Sequence, residues 1–209
     1  NKMEKQMLEN KVAIITGASS GIGQAIAQLF AEEGASVVLI GRNEKNLNDT
    51  VNGIKAKGQK AIGVLADVTS KDDIAKVFDE TIQTFGDLDI LVNNAGISDE
   101  YAIDETTDEW LNHVLDVNLN APIRYAREAL KYFMPKNDGV IINITSVNGD
   151  RPIGGAAYTS SKGALNTLTK NIAMRLSDTN IRCNAVAPGA TLTPMHFAHL
   201  RGENPGGNL

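Results

Sequence analysis

The sequence predicts an α/β fold: one doubly wound domain, a parallel sheet with helices on both faces. Three observations predict it. Short apolar runs alternate strictly with amphipathic stretches along the chain. The apolar runs are continuous rather than alternating, as in strands buried on both faces. No linker, repeat or low-complexity segment divides the 209 residues.

The β-branched run at 12–16 reads as the first strand, and a glycine-rich turn at 17–23 follows it. Ile22, Ala25, Ile26, Leu29 and Phe30 then recur at helical spacing until Gly34 stops the helix. Strands are expected at 36–40, 61–65 and 88–92, with a helix at 43–57 carrying Leu47, Val51 and Ile54 on one face. Ile74, Val77, Phe78 and Ile82 mark a third helix. A long helical region spans 107–133, with a kink expected near Pro122. Strands at 140–144 and 181–186 flank a last helix over 155–176. Six strands with crossovers fit a Rossmann-like sheet, which takes ligands at the carboxyl ends of its strands. Residues 1–10 read as a polar N-terminal tail, and 11–209 as the domain.

The motifs fall at those strand ends. Thr16-Gly17-Ala18-Ser19-Ser20-Gly21-Ile22-Gly23 joins the first strand to the first helix. Glycines there let the backbone approach a phosphate, and the helix N-terminus offers unpaired N–H groups. The turn lacks the Lys-Ser/Thr ending of a P-loop, which disfavours nucleoside triphosphate hydrolysis. After the second strand stand Gly41-Arg42-Asn43, with no acid until Glu44. An arginine there accommodates a 2′-phosphate, so NADP is the expected cofactor and NAD the alternative. Asp67 follows the third strand, placed to accept from an adenine amino group, and Asn93-Asn94-Ala95-Gly96 follows the fourth.

Tyr158 and Lys162 lie four apart in the last helix and so share a face. A free phenol has a pKa of roughly 10, and a nearby cation is expected to lower it toward the range of a proton-transfer group.

The 16–23 turn, Asn93-Asn94-Ala95-Gly96, Asn118, Ser146, Tyr158 and Lys162 together resemble the classical short-chain dehydrogenase/reductase family, over about 11–195. The resemblance implies a catalytic set of Asn118, Ser146, Tyr158 and Lys162. Tyr158 would be the general acid/base and Lys162 the group that lowers its pKa and holds the nicotinamide ribose. Ser146 would bond the substrate oxygen, and Asn118 would anchor a water of the proton relay. It also implies a cofactor site made by Gly17, Ser19, Ser20, Gly21, Ile22, Gly23, Arg42, Asp67, Val68, Asn94, Ala95, Gly96, Tyr158 and Lys162. Pro188, Gly189 and Thr193 would hold the carboxamide, and no metal is required. Gly41-Arg42 resembles the NADP-preferring subset.

Two departures stand out. Ser146 and Tyr158 are 12 apart, one fewer than usual in the family, with Thr145 restoring the count as the fallback. The chain also stops at Leu209, where the family adds a helix and a last strand; their omission from the sequence is the expected reading.

The implied activity is an NADP(H)-preferring interconversion of a ketone and a secondary alcohol. The substrates the family permits include 3-oxoacyl thioesters, hydroxysteroids and polyols. A catalytically silent dinucleotide-binding scaffold is the alternative from another class. A net charge of −5 without a basic cluster argues against nucleic acid. Cys183 as the sole cysteine excludes a disulfide framework and a Cys-based metal site. With no membrane span or leader, a cytoplasmic protein is expected. The resemblance adds a homo-oligomer, dimer or tetramer, formed through the helices around 108–133 and Tyr158.

Overall fold

The structure, a computed structural model, describes residues 6–203. Residues 1–5 of the expected tail and 204–209 of the chain end lie outside the described residues. Six parallel strands form one sheet in the order β3-β2-β1-β4-β5-β6. They are β1 (Val12–Thr16), β2 (Ser36–Gly41), β3 (Ala61–Leu65), β4 (Ile90–Asn93), β5 (Gly139–Ile144) and β6 (Ile181–Val186). The order reverses between β1 and β4, so the carboxyl ends of those two strands open the crevice in which such sheets bind ligands.

Alternate side chains of each strand serve opposite layers. Ala13 and Ile15 of β1 with Val37 and Leu39 of β2 pack against α1 (Gly21–Glu32) and α2 (Glu44–Ala56) through Ala27, Ala31, Leu47, Val51 and Ile54. Ile14, Val38 and Ile40 face the other layer, where α3 (Lys71–Phe85) brings Ile74, Val77 and Phe78. Each such Leu or Ile buried is worth about 1.5–3 kcal/mol.

The region read as one long helix is two, α4 (Asp108–Leu115) and α5 (Ala121–Lys136), joined by a π turn at Asp116–Asn120. Pro122 sits in the first turn of α5, where its missing N–H costs nothing, so the irregularity precedes it and belongs to the widened turn. Helix α6 (Ala156–Arg175) and a short α7 (Pro194–Leu200) complete the elements. Polar side chains cap four of the helices: Asn43, Ser70, Thr107 and Thr193 each accept a backbone N–H three residues on. Residues 6–10 turn back onto the end of α1: Gln6 Nε2 donates to Glu32 O and Leu8 N to Glu33 O, at 2.8 Å each.

Candidate active site

A cleft of about 1300 Å³ runs along the carboxyl ends of the strands. Its walls include every expected site residue except Gly23 and Asn118, which sit directly behind them. At one end is the glycine turn. Gly17 has φ +64°, and a Cβ there would stand 2.9 Å from Ala95 Cα. A Cβ at Gly23 would meet Gly17 O at 2.3 Å and Asn94 Nδ2 at 2.4 Å. The turn therefore closes only with glycine at both places. Asn94 knits it to β4, donating from Nδ2 to Thr16 O and Gly17 O at 3.0 Å each. Thr16 Oγ1 accepts from the N–H groups of Asn94 and Ala95. Ser20, at the N-cap of α1, makes no side-chain cap, so the first N–H groups of that helix stay available at the cleft. This cradle fits the pyrophosphate of a dinucleotide.

Along the same wall Arg42 follows β2, and Asp67 follows β3. The Asp67 carboxyl is held below the usual range, chiefly by the Thr69 N–H, with Arg42 among the lesser causes. Thr193 closes over the turn from α7, its side chain 3.5 Å from where a Cβ of Gly21 would stand. Pro188 and Gly189 line the cleft beside it.

At the other end stand Ser146, Tyr158 and Lys162. Helix α6 is locked to the sheet by a buried amide ladder: Asn93 Nδ2 donates to Asn143 Oδ1, and Asn143 Nδ2 to Thr169 Oγ1, at 2.9 Å each. That lock sets the Tyr158 and Lys162 side chains against the end of β5. Thr145 turns away, its hydroxyl donating to Val186 O at 3.3 Å, whereas the Ser146 hydroxyl reaches the Tyr158 phenol. Both residues line the cleft, and of the two hydroxyls it is that of Ser146 that interacts with the phenol.

The Tyr158 pKa differs from the expectation. It stands above its ordinary value because burial disfavours the phenolate, and the Ser146 hydrogen bond offsets only part of this. The cation does not lower it, since Lys162 is desolvated too and its own pKa falls to about 8. The Lys162 ammonium donates to Ile144 O at 2.9 Å and lies 5.8 Å from the Tyr158 ring centre. Asn118 lies behind the wall of the cleft. Its Oδ1 accepts from Ile97 N, and its Nδ2 donates to Ile97 O and to Ser161 Oγ, all at 2.9–3.0 Å. The side chain is a clamp between the loop after β4 and α6.

Sequence reasoning missed three participants. Ile97 and Ser161 are ordinary residues whose part lies in meeting Asn118. Asp99, 2% exposed, accepts the Tyr158 N–H at 3.0 Å across 59 residues of sequence, and no spacing pattern signals that. Among the described residues no cluster of three or more His, Cys, Asp or Glu side chains is placed to hold a metal.

The short chain dehydrogenase family profile matches residues 11–203. The chain is 44% identical over 190 residues to the 3beta-hydroxysteroid dehydrogenase 2 of Eggerthella lenta, covering 90% of this chain and 73% of that protein. Among solved structures, it superposes on a 3-ketoacyl-(acyl-carrier-protein) reductase from Brucella melitensis complexed with NADH. The TM-score is 0.86 at 32% identity, over 91% of this chain and 80% of that one. A tryptophan variant of actinorhodin polyketide ketoreductase with NADPH gives 0.88 at 35%, over 91% and 74%. The chain belongs to the short-chain dehydrogenase family and is an oxidoreductase.

Proposed function

We propose that this protein reduces a bulky apolar ketone to a secondary alcohol, with NADPH preferred over NADH. The observation that carries the reading is the convergence of Ser146, Tyr158 and Lys162 on one end of a cleft whose other end is a pyrophosphate cradle. The nicotinamide, when bound, supplies the hydride for the carbonyl carbon. Tyr158 gives its phenolic proton to the carbonyl oxygen, and the Ser146 hydroxyl donates to the same oxygen as charge builds there. A phenol whose pKa is raised is fully protonated near neutrality, the state that a proton donor in the reductive direction needs. Lys162 is positioned for the ribose hydroxyls and carries positive charge below about pH 8.

Arg42 supports the cofactor preference. It follows Gly41, where a Cβ would stand 2.9 Å from the Ser19 hydroxyl. The end of β2 thus presents a hydroxyl and a guanidinium, the groups that suit a 2′-phosphate. The apolar substrate is read from the cleft mouth. Ile103 and Ile153 line it while 82% and 83% exposed, and Val147 and Met195 stand beside them. Outer faces of α5 and α6 expose Ile123, Met134 and Met174, which supports self-association. No helix among the described residues is long and apolar enough to cross a membrane, and a cytoplasmic setting fits the free, buried Cys183.

The test is NADPH oxidation with a decalone, a bicyclic apolar ketone, run beside dihydroxyacetone. Tyr158→Phe is expected to lose about 100-fold or more in kcat. Full activity in that variant sinks the mechanism. Arg42→Ala is expected to raise KM for NADPH by about 10- to 100-fold while leaving NADH unchanged. Equal effects on both cofactors overturn the 2′-phosphate assignment, and a preference for dihydroxyacetone overturns the apolar substrate.

A further inference from the structure

Three buried polar atoms without a hydrogen-bond partner gather beside the start of α6: Asp99 Oδ1, Tyr101 Oη and Trp110 Nε1. The Tyr101 and Trp110 rings meet edge to face with centres 5.8 Å apart. Between this pair and the helix lies the Asp99 carboxyl group, in the loop that follows β4. The same short loop supplies the partners for the first N–H groups of α6. Asp99 O accepts from Gly155 N at 2.9 Å, Tyr101 O from Ala156 N at 3.0 Å, and Asp99 Oδ2 from Tyr158 N at 3.0 Å.

Helix N-termini leave such donors unpaired, and a nearby Ser, Thr, Asp or Asn normally accepts one of them. Here the N-cap residue is Gly155, which has no side chain to do so. The reason for glycine is visible: a Cβ at 155 would stand 1.5 Å from Asp99 Oδ1. The helix has given up its own cap to admit a carboxylate from another loop. A carboxylate also complements the positive end of the helix dipole.

The N–H that Asp99 holds is that of Tyr158 itself, so the loop fixes where that residue begins. The loop in turn is fixed by Asn118, which grips both backbone groups of Ile97. The π turn is thus tied to Tyr158 by hydrogen bonds at Ile97 and at Asp99, with two residues of loop backbone between them. We propose that Asp99 is a positioning residue: its buried carboxylate caps α6 from the neighbouring loop and sets the place of the Tyr158 phenol in the cleft. Burial raises the carboxyl pKa, while the Trp110 indole and the Tyr158 N–H pull it back.

The proposal rests on Tyr158 being the proton donor, and its test keeps the two apart. NADPH oxidation with a decalone is measured for wild type, Asp99→Ala, Asp99→Asn, Gly155→Ala and Tyr158→Phe. Rates are normalised to NADPH sites counted by fluorescence titration, so that loss of folded protein does not register. Asp99→Ala is expected to lose about 10- to 100-fold in kcat, the cost of a misplaced reacting group, with NADPH affinity within about threefold of wild type. The pH dependence of kcat moves with it. Asp99→Asn, whose amide oxygen can accept the same N–H, recovers most of the rate. Gly155→Ala, which leaves Asp99 in place but displaces its carboxyl group, shows the same kcat loss and carries the test if Asp99→Ala does not fold. A kcat within about twofold of wild type and an unmoved pH profile in either variant overturns the proposal, as does an Asp99→Asn rate no better than Asp99→Ala. If Tyr158→Phe is itself fully active, the catalytic reading fails first.

Discussion

A lysine ammonium at 4% exposure, with one carbonyl as its hydrogen-bond partner, is costly to bury. The molecule keeps Lys162 there at a loss in stability, and the sign of that loss can be tested. Folding lowers the Lys162 pKa from 10.5 to about 8, so between those values the unfolded chain binds more protons than the folded one. Stability from this group is fully present above 10.5 and is lost as the pH falls through about 8. Lys162→Met removes the effect. In the cofactor-free protein, the stability difference between wild type and this variant should move in favour of wild type by up to about 3 kcal/mol as the pH rises across that window. Urea unfolding at several pH values measures it, and a difference that stays flat contradicts the buried ammonium. Tyr158 titrates in the opposite sense. Its raised pKa adds stability that is present below 10 and lost above its folded value, and this cancels in the comparison because both proteins keep the phenol.

Between single residues and the whole fold, the π turn at Asp116–Asn120 has the widest consequences. One extra residue per turn rotates Asn118 inward, where it is fully buried and joins the loop after β4 to α6. Gly96 lies against both ends of this arrangement, since a Cβ there would be 3.3 Å from Asn118 Oδ1 and 3.4 Å from Lys162 Nζ. Asn118→Ala removes three hydrogen bonds, one buried and two part-buried, at about 1 kcal/mol each. Tm should fall by about 6–12 °C, because a domain of this size loses about 2–4 °C per kcal/mol. A melt within about 2 °C of wild type shows that the clamp contributes little. The sequence reading placed Asn118 in the catalytic set and expected a kink near Pro122. Both concern this element, but its nature as a widened turn depends on backbone hydrogen bonding that side-chain periodicity does not report.

Across the molecule, the two halves of the sheet contribute different ends of one cleft. The glycine turn, Arg42 and Asp67 come from the β1–β3 half, and Ser146, Tyr158 and Lys162 from the β4–β6 half. A ligand that spans the cleft bridges both halves and stabilises the fold as a unit. NADPH at about a hundred times its Kd should contribute about 2.7 kcal/mol, or about 5–10 °C in Tm. NADH at the same concentration should raise it less. Thermal melts with each nucleotide check this, and an unchanged Tm with NADPH sinks the proposed dinucleotide site.

From the amino-acid sequence alone the fold class and the number of strands could be read, and all but two of the residues it singled out lie in the wall of the cleft. This was possible because strand and helix periodicities are local, and because glycine turns and strand-end polar residues stay close to the positions they serve. The sequence did not determine the direction of the Tyr158 pKa or the part played by Asp99. Each of these is set by what surrounds a side chain after distant segments meet. Desolvation depends on total burial, and the partner of Asp99 lies 59 residues away. Tertiary structure decides such features because dielectric environment and hydrogen-bond geometry belong to a place in space rather than to a position in the chain.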